Sequence, residues 1–160
     1  CQAYIKQAGL DVVIPRFTRS YGPTMLMSDT KAISQFIRKA IAGEDIVLKS
    51  EGKQYYSYTY VADAVSGLLT ILLKGKNGEA YNIADDSSDI RLKDLAGILA
   101  DISGKKVVFE LPDAVEKAGY SKATKARLDG NKIKQLRWKP LYNIRQGLER
   151  TVEILNAVDG

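Results

Sequence analysis

Histidine is missing from this chain of 160 residues, and cysteine occurs once, as Cys1. Without histidine, the commonest metal ligand and the commonest general base are both gone. A lone cysteine cannot form an internal disulfide and fits a reducing compartment, so a cytoplasmic location is expected. No apolar run approaches the roughly 20 residues that a membrane helix needs, and no membrane partner is expected. The glycines fall in no Gly-x-Gly-x-x-Gly or phosphate-loop pattern, no serine stands in Gly-x-Ser-x-Gly, and there is no paired Cys or Cys/His set. These absences leave no recognisable self-sufficient machinery, so no catalytic residue and no metal ligand is assigned.

What is present has the balance of a folded domain. Hydrophobic residues make up 45% and charged residues 27%, which separates the chain from disordered sequences. Its length is about one domain's worth and suffices to bury a core. The net charge of +5 is spread among acids. It therefore suits an anionic small molecule better than a nucleic acid, which calls for a concentrated basic surface.

The opening CQAYIKQAG has the pattern of a helix end closing on Gly9. A chain that starts partway through a helix is expected to be a piece of a longer protein. Residues 10–15, LDVVIP, suit a strand buried on both faces of a parallel sheet. A helix should follow Ser28 and Asp29, its candidate caps, with Ile33, Phe36, Ile37, Ala40 and Ile41 at helical spacing and Gly43 at its close. Strands are expected at DIVLKS, QYYSYTY, EAYNIAD and KKVVFELP. Helices are expected at residues 61–73, with Asp63 in the first turn, and at 91–103, ended by Gly104. Closing helices should cover NKIKQLRW and IRQGLERTVEILNAV, after a basic loop GYSKATKARLD without period. Alternating strands and helices imply an α/β architecture.

Two stretches could carry chemistry. Residues 12–24, VVIPRFTRSYGPT, turn from apolar strand to a polar loop stiffened by Gly22-Pro23, and ligands of α/β sheets bind beyond such strand ends. A plain strand-to-helix connection is the alternative, and composition alone favours it. Residues 51–63, EGKQYYSYTYVAD, put Tyr56, Tyr58 and Tyr60 on one face and Tyr55 on the other. Such rings can stack on a base or sugar, although a half-buried strand explains the ladder more simply. Lys31, in a first helical turn, and Lys122, Lys125 and Arg127 are candidate phosphate contacts. The run from Asp85 to Asp89 lacks the glycine spacing and distal glutamate of a calcium loop and is taken as a turn.

These landmarks resemble one family. PRFTRSYGP resembles Arg-x-x-Asn-x-Tyr-Gly-Pro, and GKQYYSYTYVADA resembles Gly-x-Gln-x-Arg-Asp-(aromatic)-x-Tyr-Val-x-Asp. GEAYNIAD resembles Gly-x-x-(Tyr/Phe)-Asn-(Ile/Val)-Gly, and RLDGNKIKQLRWKP resembles Asp-x-(Ser/Thr)-Lys-x-x-x-Leu-Gly-Trp-x-Pro. All four patterns belong, in this order, to extended short-chain dehydrogenase/reductases: the sugar-nucleotide epimerases and dehydratases.

The resemblance implies a fold and a role. Residues 1–23 would be the tail of the catalytic helix, a late Rossmann strand and the active-site loop; residues 24–160 would be the substrate-binding domain, a small mixed sheet with flanking helices. The family's glycine-rich Rossmann turn and its Tyr-x-x-x-Lys pair would lie in a half that is absent here. The expected function is the substrate-binding part of an NAD-dependent epimerase of the UDP-glucose 4-epimerase kind, or of a 4,6-dehydratase. By itself the chain would be inactive and unable to hold NAD; the parent would be a homodimer. A reductase or decarboxylase of the same family, or a non-enzymatic binding module, are the alternatives.

By position, Pro15, Phe17 and Thr18 match residues passing beside the nicotinamide and sugar. Arg19 takes the place of an asparagine that contacts the sugar nucleotide, and Lys31 matches a position near the diphosphate. Val47 and Lys49 match the nucleobase pocket, and Tyr56 stands where a diphosphate-binding arginine is expected. A second basic contact should come from Lys122, Lys125 or Arg127, of which Lys125 is assigned. One arginine is gained at Arg19 as another is absent at Tyr56, so Arg19 is expected to supply the missing charge. Arg137 and Ala84 replace glycines of the patterns.

Overall fold

The computed structural model describes residues 1–26, 28–111 and 124–158. The chain opens on helix α1 (Gln2–Ala8), and Gly9 ends it at φ 62, its N–H donating to the Ile5 carbonyl. Glycine reaches this left-handed turn without the Cβ clash that other residues meet. Strand β1 (Ile14–Phe17) then pairs in parallel with β5 (Ala80–Ile83). It begins later than the apolar run suggests and continues through Pro15, half-buried and then exposed rather than covered on both faces. Pro15 is tolerated because, among the described residues, β1 is bonded along one edge only, and a residue without an N–H fits an edge strand.

The presumed loop after Pro15 is itself partly a strand. Strand β2 (Arg19–Tyr21) pairs in parallel with β4 (Tyr55–Tyr60), whose other edge carries the antiparallel β6 (Asp89–Arg91). The basic loop also contains a short strand, β8 (Lys125–Ala126), parallel to Tyr55 and Tyr56 of β4. A separate parallel pair joins β3 (Ile46–Leu48) to β7 (Val107–Phe109). Alternation puts Tyr58 and Tyr60 inside, at 2% and 4% exposure, but Ser57 and Thr59 are buried too, so β4 is covered on both faces.

Helix α2 (Ala32–Ile41) turns Ile33, Phe36, Ile37 and Ala40 inward. Its N-cap is Lys31, not Ser28 or Asp29; Asp29 instead accepts the Lys31 N–H at 2.9 Å. Helix α4 (Leu92–Ser103) buries Leu92, Leu95 and Leu99 and stops at Gly104, φ 65. Both helices pack with Leu148, Val152 and Leu155 of α6 (Ile144–Val158) around Tyr21 and Tyr58. Each fully buried Ile or Leu here contributes about 1.5–3 kcal/mol. A second cluster joins Ile71 of α3 (Val61–Lys74), Tyr81 and Ile83 of β5, Ile133 of α5 (Asn131–Lys134) and Trp138. Of the first closing helix only α5 is helical; a turn through Arg137 follows, at φ 64.

Asp63 does more than face a helix dipole. Its carboxylate, 1% exposed, accepts the Leu141 N–H at 2.7 Å and the Tyr142 N–H at 3.1 Å, fixing the entry to α6. Among the described residues, no helix is long and apolar enough to cross a membrane, and no cluster of three or more His, Cys, Asp or Glu could hold a metal ion.

Candidate functional site

Two strands share one edge of β4 and leave a gap between them. β8 covers Tyr55 and Tyr56, and β2 covers Tyr58 to Tyr60, so Ser57 lies where one stops and the other starts. A cavity of about 280 Å³ opens at this break, walled by Phe17, Thr18, Arg19, Ser57, Ala126, Arg127 and Leu128. The break is tied across by hydrogen bonds: Leu128 N–H donates to Ser57 Oγ at 3.0 Å, and the Thr18 and Thr59 hydroxyls meet at 2.6 Å.

Arg19 is the hub. It pairs in register with Tyr58, which places Tyr56 diagonally beside it on the same face. Its guanidinium lies over the Tyr56 ring, 3.7 Å from the centroid. Among the described residues no carboxylate pairs with it. A half-buried cation stacked on a ring but without a counter-ion has its planar donors available for an anion. Burial pushes the neighbouring Tyr58 phenol up to about 12, with the Arg19 charge working against that rise.

Two further cavities adjoin. Thr18, Arg19, Tyr21, Met25, Asp29 and Lys31 line one of about 290 Å³. Lys31 Nζ is 2.9 Å from the Asp29 carboxylate. The Lys31 backbone N–H and then its ammonium hold the Asp29 carboxyl below the usual range. On the other side of the Arg19–Tyr56 stack, Val47, Lys49 and Tyr56 line a cavity of about 380 Å³ with Phe36, Gln54 and Leu92. An apolar floor with amide and ammonium groups at its rim suits a flat heterocycle.

The structure therefore brings Phe17, Thr18, Arg19 and Lys31 around one group of cavities and sets Val47, Lys49 and Tyr56 beside them. Pro15 pairs with Tyr81 inside β1 and does not line the Arg19 cavities. Lys125 does not join the set either. It pairs with Tyr55, so alternation turns it to the face opposite Tyr56, into a polar groove with Lys53 and Asp94. Arg127, two residues on, is the basic residue of that segment that shares a cavity with Arg19. Lys122 lies outside the described residues. Sequence reasoning missed Ser57 and Asp89, whose side chains bond at 2.5 Å. Ser57 carried a signal, since it occupies the acidic position of its motif; Asp89, inside a polar turn, carried none.

Comparison with known proteins decides the family. Residues 1–84 match the model of the NAD dependent epimerase/dehydratase family. The chain belongs to that family. Within this epimerase/dehydratase family, it is 28% identical over 154 residues to UDP-glucuronic acid decarboxylase 1 of Danio rerio, aligning 96% of itself with 35% of that protein. It is 28% identical over 160 residues to dTDP-glucose 4,6-dehydratase of Xanthomonas campestris, covering 95% of itself and 44% of the enzyme. Its backbone matches the crystal structure of UDP-glucose 4-epimerase with UDP-glucose from Thermotoga maritima at a TM-score of 0.85 and 25% identity. That match covers 99% of this chain and 50% of the epimerase. The chain thus spans half or less of the length of these relatives, and they divide among decarboxylase, dehydratase and epimerase. NAD is the cofactor of the family.

Proposed function

We propose that this chain is the sugar-nucleotide-binding part of an NAD-dependent epimerase of the UDP-glucose 4-epimerase kind, or of a 4,6-dehydratase. The observation that carries the reading is Arg19: a guanidinium with no carboxylate partner among the described residues, stacked on Tyr56 where the cavities meet. The base would lie in the cavity of Val47, Lys49 and Tyr56. The diphosphate would reach Arg19 and Arg127, with Lys31 at the edge of the adjoining cavity. Two guanidiniums can each give bidentate, charge-assisted hydrogen bonds to phosphate oxygens, which a lone phenol at Tyr56 cannot. In this reading Arg19 supplies the charge that the motif places on β4.

NAD, when bound, supplies removal and return of hydride at the sugar. The residues present fit only its reacting edge. Phe17, 45% exposed at the end of β1, and Thr18 beside it offer a ring face and a hydroxyl. No Gly-x-Gly-x-x-Gly exists in the sequence to hold a pyrophosphate. The role of this chain's own groups is to bind and orient the sugar nucleotide against a cofactor held elsewhere, and by itself the chain is inactive. Decarboxylation of a uronic-acid sugar nucleotide is the second reading, favoured by the similarity to the Danio rerio decarboxylase. It uses the same half-site.

Calorimetric titration tests this. UDP and UDP-glucose are expected to bind the chain, and Arg19→Ala to weaken both by about tenfold or more, the loss of one charge-assisted contact. Equal affinity in wild type and Arg19→Ala would refute the reading of Arg19. Turnover of any sugar nucleotide by the isolated chain would refute its inactivity.

A further inference from the structure

We propose that Asp89 is the positioning residue that aims Arg127 at the substrate cavity, a role that rests on the sugar-nucleotide reading above. Asp89 stands on β6 directly opposite Ser57 of β4. Its side chain is only 3% exposed. A carboxylate so enclosed is retained at a cost unless each oxygen is used. Both oxygens are used: one accepts the Ser57 hydroxyl at 2.5 Å, and the other lies 3.3 Å from an Arg127 guanidinium nitrogen. Ser57 Oγ accepts the Leu128 N–H, so the residue after Arg127 is tied to the same carboxylate through one hydroxyl.

Arg127 is consequently fixed from two directions. Asp89 holds one edge of the guanidinium, and the Tyr55 ring lies beneath it with its centroid 5.2 Å away. The side chain remains 42% exposed and lines the cavity of Thr18 and Arg19. A guanidinium has five donors, so an edge engaged by Asp89 leaves others turned to the cavity. Without the carboxylate, the long side chain would sample many rotamers, and binding would have to freeze them. Asp89 thus acts on the ligand only through Arg127.

A double-mutant cycle on the full chain, with UDP as the probe, tests this path. Asp89→Asn and Arg127→Ala are each expected to weaken UDP binding by about tenfold, and the double variant no further than Arg127→Ala alone. The swap Ser57→Asp/Asp89→Ser returns a carboxylate to the neighbouring strand and should restore affinity to within about threefold of wild type. Nitrogen-15 NMR reads Arg127 without any ligand: its guanidinium N–H signals should exchange slowly in wild type and broaden in Asp89→Asn. An equal loss from Asp89→Asn in the wild-type and Arg127→Ala backgrounds overturns the proposal, as do freely exchanging Arg127 signals in wild type. If UDP fails to bind the wild-type chain, the sugar-nucleotide reading falls, and the Arg127 signals alone decide whether Asp89 holds the side chain.

Discussion

Arg137 offers a sharp test of the backbone geometry. It is the one non-glycine residue with positive φ among those described, at 64°. It follows α5 in a tight turn whose N–H groups are satisfied: Leu136 donates to Ile133 O and Arg137 to Lys134 O, both at 2.9 Å. The next residue, Trp138, is 4% exposed and donates its indole N–H to Ser66 Oγ at 3.0 Å. Docking of this ring holds the turn in its left-handed form. The Arg137 side chain is exposed, so its replacement removes little packing. A non-glycine residue in this region costs about 1–2 kcal/mol. Glycine removes that strain but loses about 0.5–1 kcal/mol through its freer unfolded chain. Arg137→Gly should therefore stabilise by about 0.5–1 kcal/mol. For a chain of this size that raises Tm by about 1–4 °C. Urea and thermal unfolding of wild type, Arg137→Gly and Arg137→Ala measure it. Alanine keeps the strain and should match wild type within about 0.5 kcal/mol. If glycine proves no more stable than alanine, the strain argument is wrong.

Other outcomes follow from the buried polar groups. Burial holds the Tyr58 phenol up to about 12 and Tyr21 higher still, against an ordinary value near 10. Folded chains keep protons that unfolded chains shed, so this stability is whole below about pH 10 and is lost as pH rises toward 12. Urea titrations across that window should show a fall of about 1.4 kcal/mol per pH unit for each group, and a shallower one in Tyr58→Phe. Asp63→Ala strands the Leu141 and Tyr142 N–H groups and should cost about 3 kcal/mol in urea unfolding. In Gly147→Ala the new Cβ would lie 2.2 Å from the Tyr21 hydroxyl and 3.1 Å from Tyr60 Cβ, so a loss of about 2 kcal/mol or more is expected in thermal unfolding.

Helices α2, α4 and α6 were legible because one amphipathic stripe each, with Gly43 or Gly104 beyond the first two, encodes both period and stop. Strands were harder. The apolar run at residues 10–15 predicted burial that β1 does not have, since apolar content says nothing about which neighbours a strand finds. β2 and β8 escaped notice for a related reason. Arg19-Ser20-Tyr21 and Lys125-Ala126 have no strand-like alternation of their own, and only the edge of β4 makes them strands. Composition could not rank Lys125 against Arg127. The two share a parity; what separates them is that Lys125 lies inside β8 while Arg127 lies just past its end, at the break along β4, and the strand itself was not anticipated.

Register also gives sense to the departures at Tyr56 and Ser57, where the motif of β4 calls for arginine and then aspartate. An arginine and an aspartate both lie next to these positions, but on the flanking strands. Arg19, on β2, puts its guanidinium over the Tyr56 ring; Asp89, on β6, is the register partner of Ser57 and bonds to it. Neighbouring strands lie about 5 Å apart, within reach of either side chain. Charge can thus move one strand sideways without leaving the cavity wall, while a linear motif scores two losses. Deleting Thr18, the single residue between β1 and β2, would flip Arg19 to the opposite face and uncouple it from Tyr56. A one-residue deletion between β1 and β2 is expected to abolish UDP binding while Asp89 still holds Arg127, and the Arg127 N–H signals would report that the second exchange survives the first.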